Sequence, residues 1–374
     1  MRNMLSIPGW FSKRKLIVIE SDDWGSVRMP SGDAFKILQQ SGIDLLSDEG
    51  SVFNKYDSLA TIDDLAGLFE VLSSVKDRTG RHAVLTPVSV VANPDFHRIR
   101  ESGFYEYYYE PITTTLARYK GCESSFQLWK EGINKRLFVP QFHGREHLNV
   151  SVWLKALQNN NRMARQAFDL GCWGISTADD PEIGVEFQAA FDYVDSADLA
   201  CHKEILISGL EIFKDLFGYH ASYFVAPNGL FSSSLETVLA NLGIKYVFMP
   251  KIQSEPVGGG KIKKRIHWLG KRLHSNLTVL TRNCFFEPSQ PGKDWIDTCL
   301  SDISISFKWH KPAIISSHRV NFIGALSVRN RENGLFQLRS LLKKIMTNWP
   351  ETEFITSEEL GKLIHCDKID TFSQ

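Results

Sequence analysis

The sequence carries no excess of charge of either sign: 43 Lys and Arg stand against 43 Asp and Glu in 374 residues. No global basic field is available to hold nucleic acid, so a nucleic-acid partner is not expected. Long apolar runs are missing as well. The longest, such as Leu16-Ile17-Val18-Ile19, are strand-sized, far short of the ~18 residues that span a bilayer. Residues 1–14 contain Pro8, Lys13 and Arg14 and no apolar core ahead of a small-residue cleavage site, so no secretory signal is read and a cytoplasmic location is expected. The six cysteines (Cys122, Cys172, Cys201, Cys284, Cys299 and Cys366) form no Cys-x-x-Cys pair, which fits neither a disulfide framework nor a thiolate zinc site. Gly258-Gly259-Gly260-Lys261 is not a phosphate loop, because Glu255 replaces the leading Gly and Ile262 the closing Ser or Thr. What is present is ample core material: 43% hydrophobic residues, with 24 Phe and 9 Trp.

Short β-branched and aromatic segments recur at 15–19, 83–91, 137–142, 222–226, 246–249, 277–280, 313–317 and 353–356, and read as strands. Between them, helical spacing appears at 62–75, 152–157, 204–217, 235–242, 294–307, 335–347 and 357–364. Strand alternating with helix over the whole chain predicts a parallel α/β sheet, because parallel neighbours need long crossovers. Seven or eight strands with no dinucleotide fingerprint after the first favour closure into a (β/α) barrel. No linker forces a cut, so residues 1–374 are expected to form one domain. The polar stretch 44–58 and a probable segment at about 93–135, with its Tyr105-Glu106-Tyr107-Tyr108-Tyr109 run, read as insertions.

Three strand ends carry chemistry. The first ends in Glu20-Ser21-Asp22-Asp23-Trp24, and adjacent carboxylates that stay ionised call for a metal or another cation. The third leads into Phe142-His143-Gly144-Arg145-Glu146-His147, where a spacing of four places two imidazoles side by side if the segment is a helical turn. A late strand delivers Ser316-Ser317-His318. One Asp and two His with open positions make a catalytic rather than a structural metal site, and a spare Asp and His complete the inventory of a hydrolase.

The order and setting of these motifs resemble the polysaccharide deacetylase superfamily, whose distorted (β/α) barrel removes acetyl groups from sugars with a divalent metal. The resemblance implies Asp22 as general base, Asp23, His143 and His147 as metal ligands, and His318 as general acid, with Ser316 in place of the leucine of Leu-x-His. It implies zinc as the first choice of metal, with cobalt, nickel or a similar ion as alternatives. A carbohydrate substrate is implied, free or linked to a nucleotide or lipid carrier, with Trp24, Arg145, Pro227 and Asn228 near it. The close at Phe354-Ile355-Thr356-Ser357-Glu358-Glu359-Leu360 is similar to the family's last strand and helix start.

Three departures stand out. Val225-Ala226-Pro227-Asn228 replaces Arg-x-Pro-Tyr, so the arginine that orients the base is missing there, with Arg28, Arg145 or Arg319 as substitutes. The interval from Asp23 to His143 is long for the family. Only Asp294-Trp295 remains of Asp-x-x-Asp-Trp. Two other functions stay open: a metal-independent barrel glycosidase using Asp22 or Asp23 with a distant Glu, and a catalytically silent carbohydrate-binding barrel.

Overall fold

In the first strand, β1 (Leu16–Trp24), the four residues Leu16 to Ile19 are all buried, the signature of a strand covered on both faces. The computed structural model describes residues 8–46, 50–177, 180 and 182–372. Residues 1–7, part of the segment read as lacking a leader, and 47–49 of the polar 44–58 stretch lie outside the described residues.

Eight further strands join β1 in one sheet: β2 (Leu85–Ser89), β3 (Gln141–Phe142), β4 (Tyr223–Phe224), β5 (Tyr246–Phe248), β6 (Thr278–Leu280), β7 (Cys284–Phe285), β8 (Ala313–His318) and β9 (Glu353–Phe354). Each of the eight expected segments overlaps one of these strands, with β1 running five residues and β8 one residue beyond the expected end, and β7 is an addition. All pairs are parallel, in the order β6-β5-β4-β3-β2-β1-β8-β7, with β9 against the start of β1. The two ends of that path, β6 and β7, are separated by only three residues of chain. One extended segment, 278–285, therefore pairs first with β5 and then with β8, and the sheet curls into a distorted (β/α) barrel joined through residues 281–283 rather than by a ladder.

Helices α1 (Ile62–Ser73), α2 (Val150–Gln158), α3 (Ser196–Phe217), α4 (Trp295–Lys308), α5 (Val328–Asn348) and α6 (Ser357–Phe372) form the principal outer layer. Capping boxes at Thr61/Asp64 and Asp195/Asp198 fix the starts of α1 and α3. Alternation along β1 separates two cores. Ile17 and Ile19 face the helices, among Leu65, Leu68 and Leu72 of α1, while Leu16 and Val18 join Val88, Tyr223, Val225 and Ile314 in the other cluster. The Leu16 face continues, two residues at a time, through Glu20 and Asp22, so it turns from apolar to charged toward the strand's carboxyl end. The segment at 93–135 contains a short antiparallel pair, Ala92–Pro94 with Tyr109–Pro111, and helices Phe96–Glu101, Ile112–Leu116 and Ser125–Asn134.

Helix α5 crosses the 3-10 turn Arg319–Phe322 that follows His318. Contact is so close that a Cβ at Gly334 would sit 1.6 Å from the Asn321 carbonyl oxygen. Gly334→Ala is therefore expected to exceed the roughly 1–3 kcal/mol typical of overpacking, since the obstacle is backbone that no rotamer change can move. Thermal melting checks this; an unchanged Tm would mean that helix and turn do not touch.

Candidate active site

The site lies at the carboxyl ends of β1, β3 and β8, around a cleft of ≈ 880 Å³ lined by Asp22, Asp23, His143, His147, Glu287 and His318, among others. A β-bulge creates its geometry. Ser21 pairs with Pro87 and Trp24 with Ser89, three steps in β1 against two in β2. Within it, Asp23 takes φ 72°, a left-handed conformation that Asp tolerates better than most residues. The bulge sends the adjacent carboxylates different ways. Asp22 stays in register with His318 of β8, whereas Asp23 reaches the histidines after β3.

Asp23 Oδ1 lies 3.3 Å from His143 Nε2 and 3.2 Å from His147 Nε2. The two imidazoles are brought together by a loop, not by the helical turn that their spacing suggested. Gly144 adopts φ 108°, and α2 begins only at Val150, with Asn149 as its N-cap. The three donors suit a divalent cation. His143 Nδ1 meets the Val225 carbonyl at 2.8 Å; as donor to it, the ring turns an unprotonated Nε2 toward Asp23. Burial lowers the pKa of His147 despite the nearby Asp23, favouring the neutral, ligating ring. Burial works against an ionised Asp23, yet the two histidines hold it well below the ordinary carboxylate range. One donor atom from each of the three residues lies within 4.8 Å of the others, a spacing that a single cation can bridge.

Asp22 is clamped by Arg282, which follows β6. Nη1 and Nη2 donate to its two oxygens at 2.5 and 2.7 Å, and Nε donates to buried Glu20 at 2.6 Å. Burial raises the pKa of Asp22, but the guanidinium outweighs it and leaves the carboxyl below its usual range. The arginine on Asp22 is thus Arg282 and none of Arg28, Arg145 and Arg319. Arg28 binds Asn54, Arg145 forms a bidentate pair with Glu146, and Arg319 forms one with Asp57.

His318 is held by Glu287, just beyond β7: Nδ1 donates to Oε1 at 2.7 Å, while Asn321 Nδ2 donates to Oε2 at 2.6 Å. Burial disfavours the imidazolium, but Glu287, helped by Asp23 and Asp22, pushes the pKa up to about 10. Asp294, from the half-motif, only caps α4.

The residues expected near substrate divide. Asn228 lines the cleft with Ala226 and Gly229, whereas Pro227 is buried beside them. Trp24 is fully buried, its indole N–H on Ser21 Oγ and its ring edge-on to Trp129 and Phe138, because the bulge turns it to the helical layer. Arg145 is occupied by Glu146 and lies 4.0 Å from the Tyr109 ring centroid. Neither Trp24 nor Arg145 lines the cleft; Arg28 does.

No protein-family model matches the sequence, and no curated protein matches it. Among solved structures, an allantoinase aligns over 96% of this chain and 92% of its own, at 11% identity and TM-score 0.48. A protein described as a polysaccharide deacetylase from Pseudomonas aeruginosa PAO1 aligns over 94% and 91%, at 10% identity and TM-score 0.46. One similarly described from Mycobacterium smegmatis aligns over 96% and 94%, at 10% identity and TM-score 0.44.

Proposed function

We propose that this chain is a metal-dependent hydrolase that removes an acetyl group, from nitrogen in the first instance, from a sugar or polysaccharide precursor. The carrying observation is that Asp22 and His318, neighbours across the β1–β8 ladder, are each held by a partner of opposite charge that favours opposite protonation states. An ionised carboxylate beside a protonated imidazole is the pair that hydrolysis requires, one to take a proton and one to give it.

Zinc, cobalt, nickel or a similar ion on Asp23, His143 and His147 would supply Lewis acidity toward the acetyl carbonyl and lower the pKa of water. Asp22, fixed through both oxygens by Arg282, accepts the proton of the attacking water. His318, with Nδ1 tied to Glu287, presents Nε2 to the cleft and protonates the departing nitrogen. Asn228 and its neighbours form the cleft wall against which the sugar rests. Arg282 also removes the motive for a silent barrel, which was the missing arginine. A metal-independent glycosidase would leave the cluster of Asp23, His143 and His147 without a role.

The test combines metal analysis with acetate release from N-acetylated sugar oligomers. About one ion per chain is expected, with His147→Ala losing 10–100-fold or more in metal affinity. Asp22→Asn should keep the ion and lose roughly 10²–10⁴-fold in turnover. Full turnover by metal-free protein, or by Asp22→Asn, overturns the reading.

A further inference from the structure

The glycine run 258–260 forms the turn of an antiparallel hairpin, Ile252–Pro256 paired with Ile262–Ile266. Its inner face is docked. Gln253 and Glu255 are buried, His267 bonds Gln253, and Arg265 pairs with Glu236 at 2.7 Å and lies 3.6 Å from Glu255. The tip is fixed too: the Gly259 N–H donates to the Val194 carbonyl at 2.8 Å, and a Cβ at Gly258 would meet the Tyr193 ring at 2.9 Å.

The outer face is unlike the rest of the surface. Cross-strand pairs Ile252/Ile266, Ser254/Lys264 and Pro256/Ile262 share it, and Ile252, Ile262 and Ile266 are 60%, 56% and 68% exposed. With Val257 and Trp268, this one stretch holds five of the fourteen exposed large hydrophobic residues among the described residues. Residues 251–272 also contain seven Lys and Arg against one acid, Glu255, a net of +6 in a chain whose total is zero. Lys261 and Lys263 are exposed and make no ion pair among the described residues. A rigid hairpin that interleaves exposed isoleucines with lysines, beside a half-exposed tryptophan, matches an interface offering anionic headgroups above hydrocarbon.

We infer that this hairpin seats the protein on the surface of a bilayer containing anionic lipid. Isoleucines gain nothing from a phosphate backbone, which disfavours nucleic acid as the occupant, and a second copy would set the exposed Lys261, Lys263 and Lys264 against their own counterparts. The balanced total charge excludes a global field but not this local one.

The test is co-sedimentation of the full chain with phosphatidylcholine vesicles containing about 30% phosphatidylglycerol, beside pure phosphatidylcholine, at near-physiological salt. Binding is expected only to the anionic vesicles. It should fall at least tenfold in Ile252→Ser/Ile262→Ser/Ile266→Ser and in Lys261→Ser/Lys263→Ser/Lys264→Ser, each melting like the parent, while Ile37→Ser/Phe336→Ser on other surfaces binds normally. The inference is overturned if the parent ignores anionic vesicles or if the isoleucine variant binds them undiminished. It also fails if duplex DNA binds as well as vesicles do, or if the isoleucine variant instead abolishes a dimer seen by sedimentation. None of these outcomes depends on turnover, so the hydrolase reading is judged separately.

Discussion

Arg282→Met is expected to cost about 3–5 kcal/mol of stability and essentially all turnover, the largest effect of any single substitution at the site. Arg282 is buried, and its guanidinium answers two buried carboxylates at once, Glu20 and Asp22. Removing it leaves Glu20 with only the Tyr223 and Ser357 hydroxyls and takes from Asp22 the guanidinium that grips both its oxygens, so each acid must find a proton or water. The methionine is not the fault; the orphaned acids are. Adding Glu20→Gln and Asp22→Asn to Arg282→Met should therefore recover much of the lost Tm while leaving the enzyme inactive. Arg282→Lys, with one ammonium in place of a fork, should fold better than Arg282→Met yet fail to hold both Asp22 oxygens. Urea unfolding of the three variants checks this. A single methionine variant as stable as the parent would mean that the clamp is not the ion pair described.

Glu287→Gln is the second large effect, on the acid side. With Glu287 in place, His318 titrates near 10 in the metal-free protein, far above the 6.5 of a free imidazole. Because the folded pKa is the higher one, this group stabilises the fold fully below pH 6.5, and its contribution drains away as pH rises toward 10. The Tm of metal-free protein should fall over that window, and Glu287→Gln should flatten the slope. An NMR titration of the His318 ring should move from near 10 toward the ordinary range. Turnover should fall roughly 10²–10⁴-fold, because the acid would be unprotonated at working pH. An unshifted His318 titration in Glu287→Gln would show that Asp22 and Asp23, not Glu287, hold the proton.

Part of the chemistry that could be read from the sequence sat at the ends of long strands, and part, His143 and His147, in a paired-histidine spacing. β1 and β8 announce themselves by apolar runs, so Asp22, Asp23 and His318 could be placed at one end of a barrel from pattern alone. Arg282 and Glu287 could not: β7, with two residues, is too short for periodicity to register, and although 277–280 reads as a strand, nothing in its pattern says that Arg282 beyond it turns to Asp22. Their only sequence signal is a charged residue two positions beyond a short apolar segment, Leu280 to Arg282 and Phe285 to Glu287. Trp24 and Arg145 misled for a different reason. Adjacency to a functional residue says nothing about direction, and the bulge at Asp23 and the left-handed Gly144 each reset which way the following side chain points. The histidine pair was found by the right spacing through the wrong geometry, since a glycine-bent loop can bring residues four apart together as well as a helical turn can.

The three residues 281–283 that bridge the two edges of the sheet carry the guanidinium that holds both oxygens of Asp22 and keeps its carboxyl below the usual range. Whatever widens the gap between β6 and β7 therefore loosens that grip. Arg282, which grips Asp22 from one side, lines with Phe248 and Phe285 a second cavity on the other.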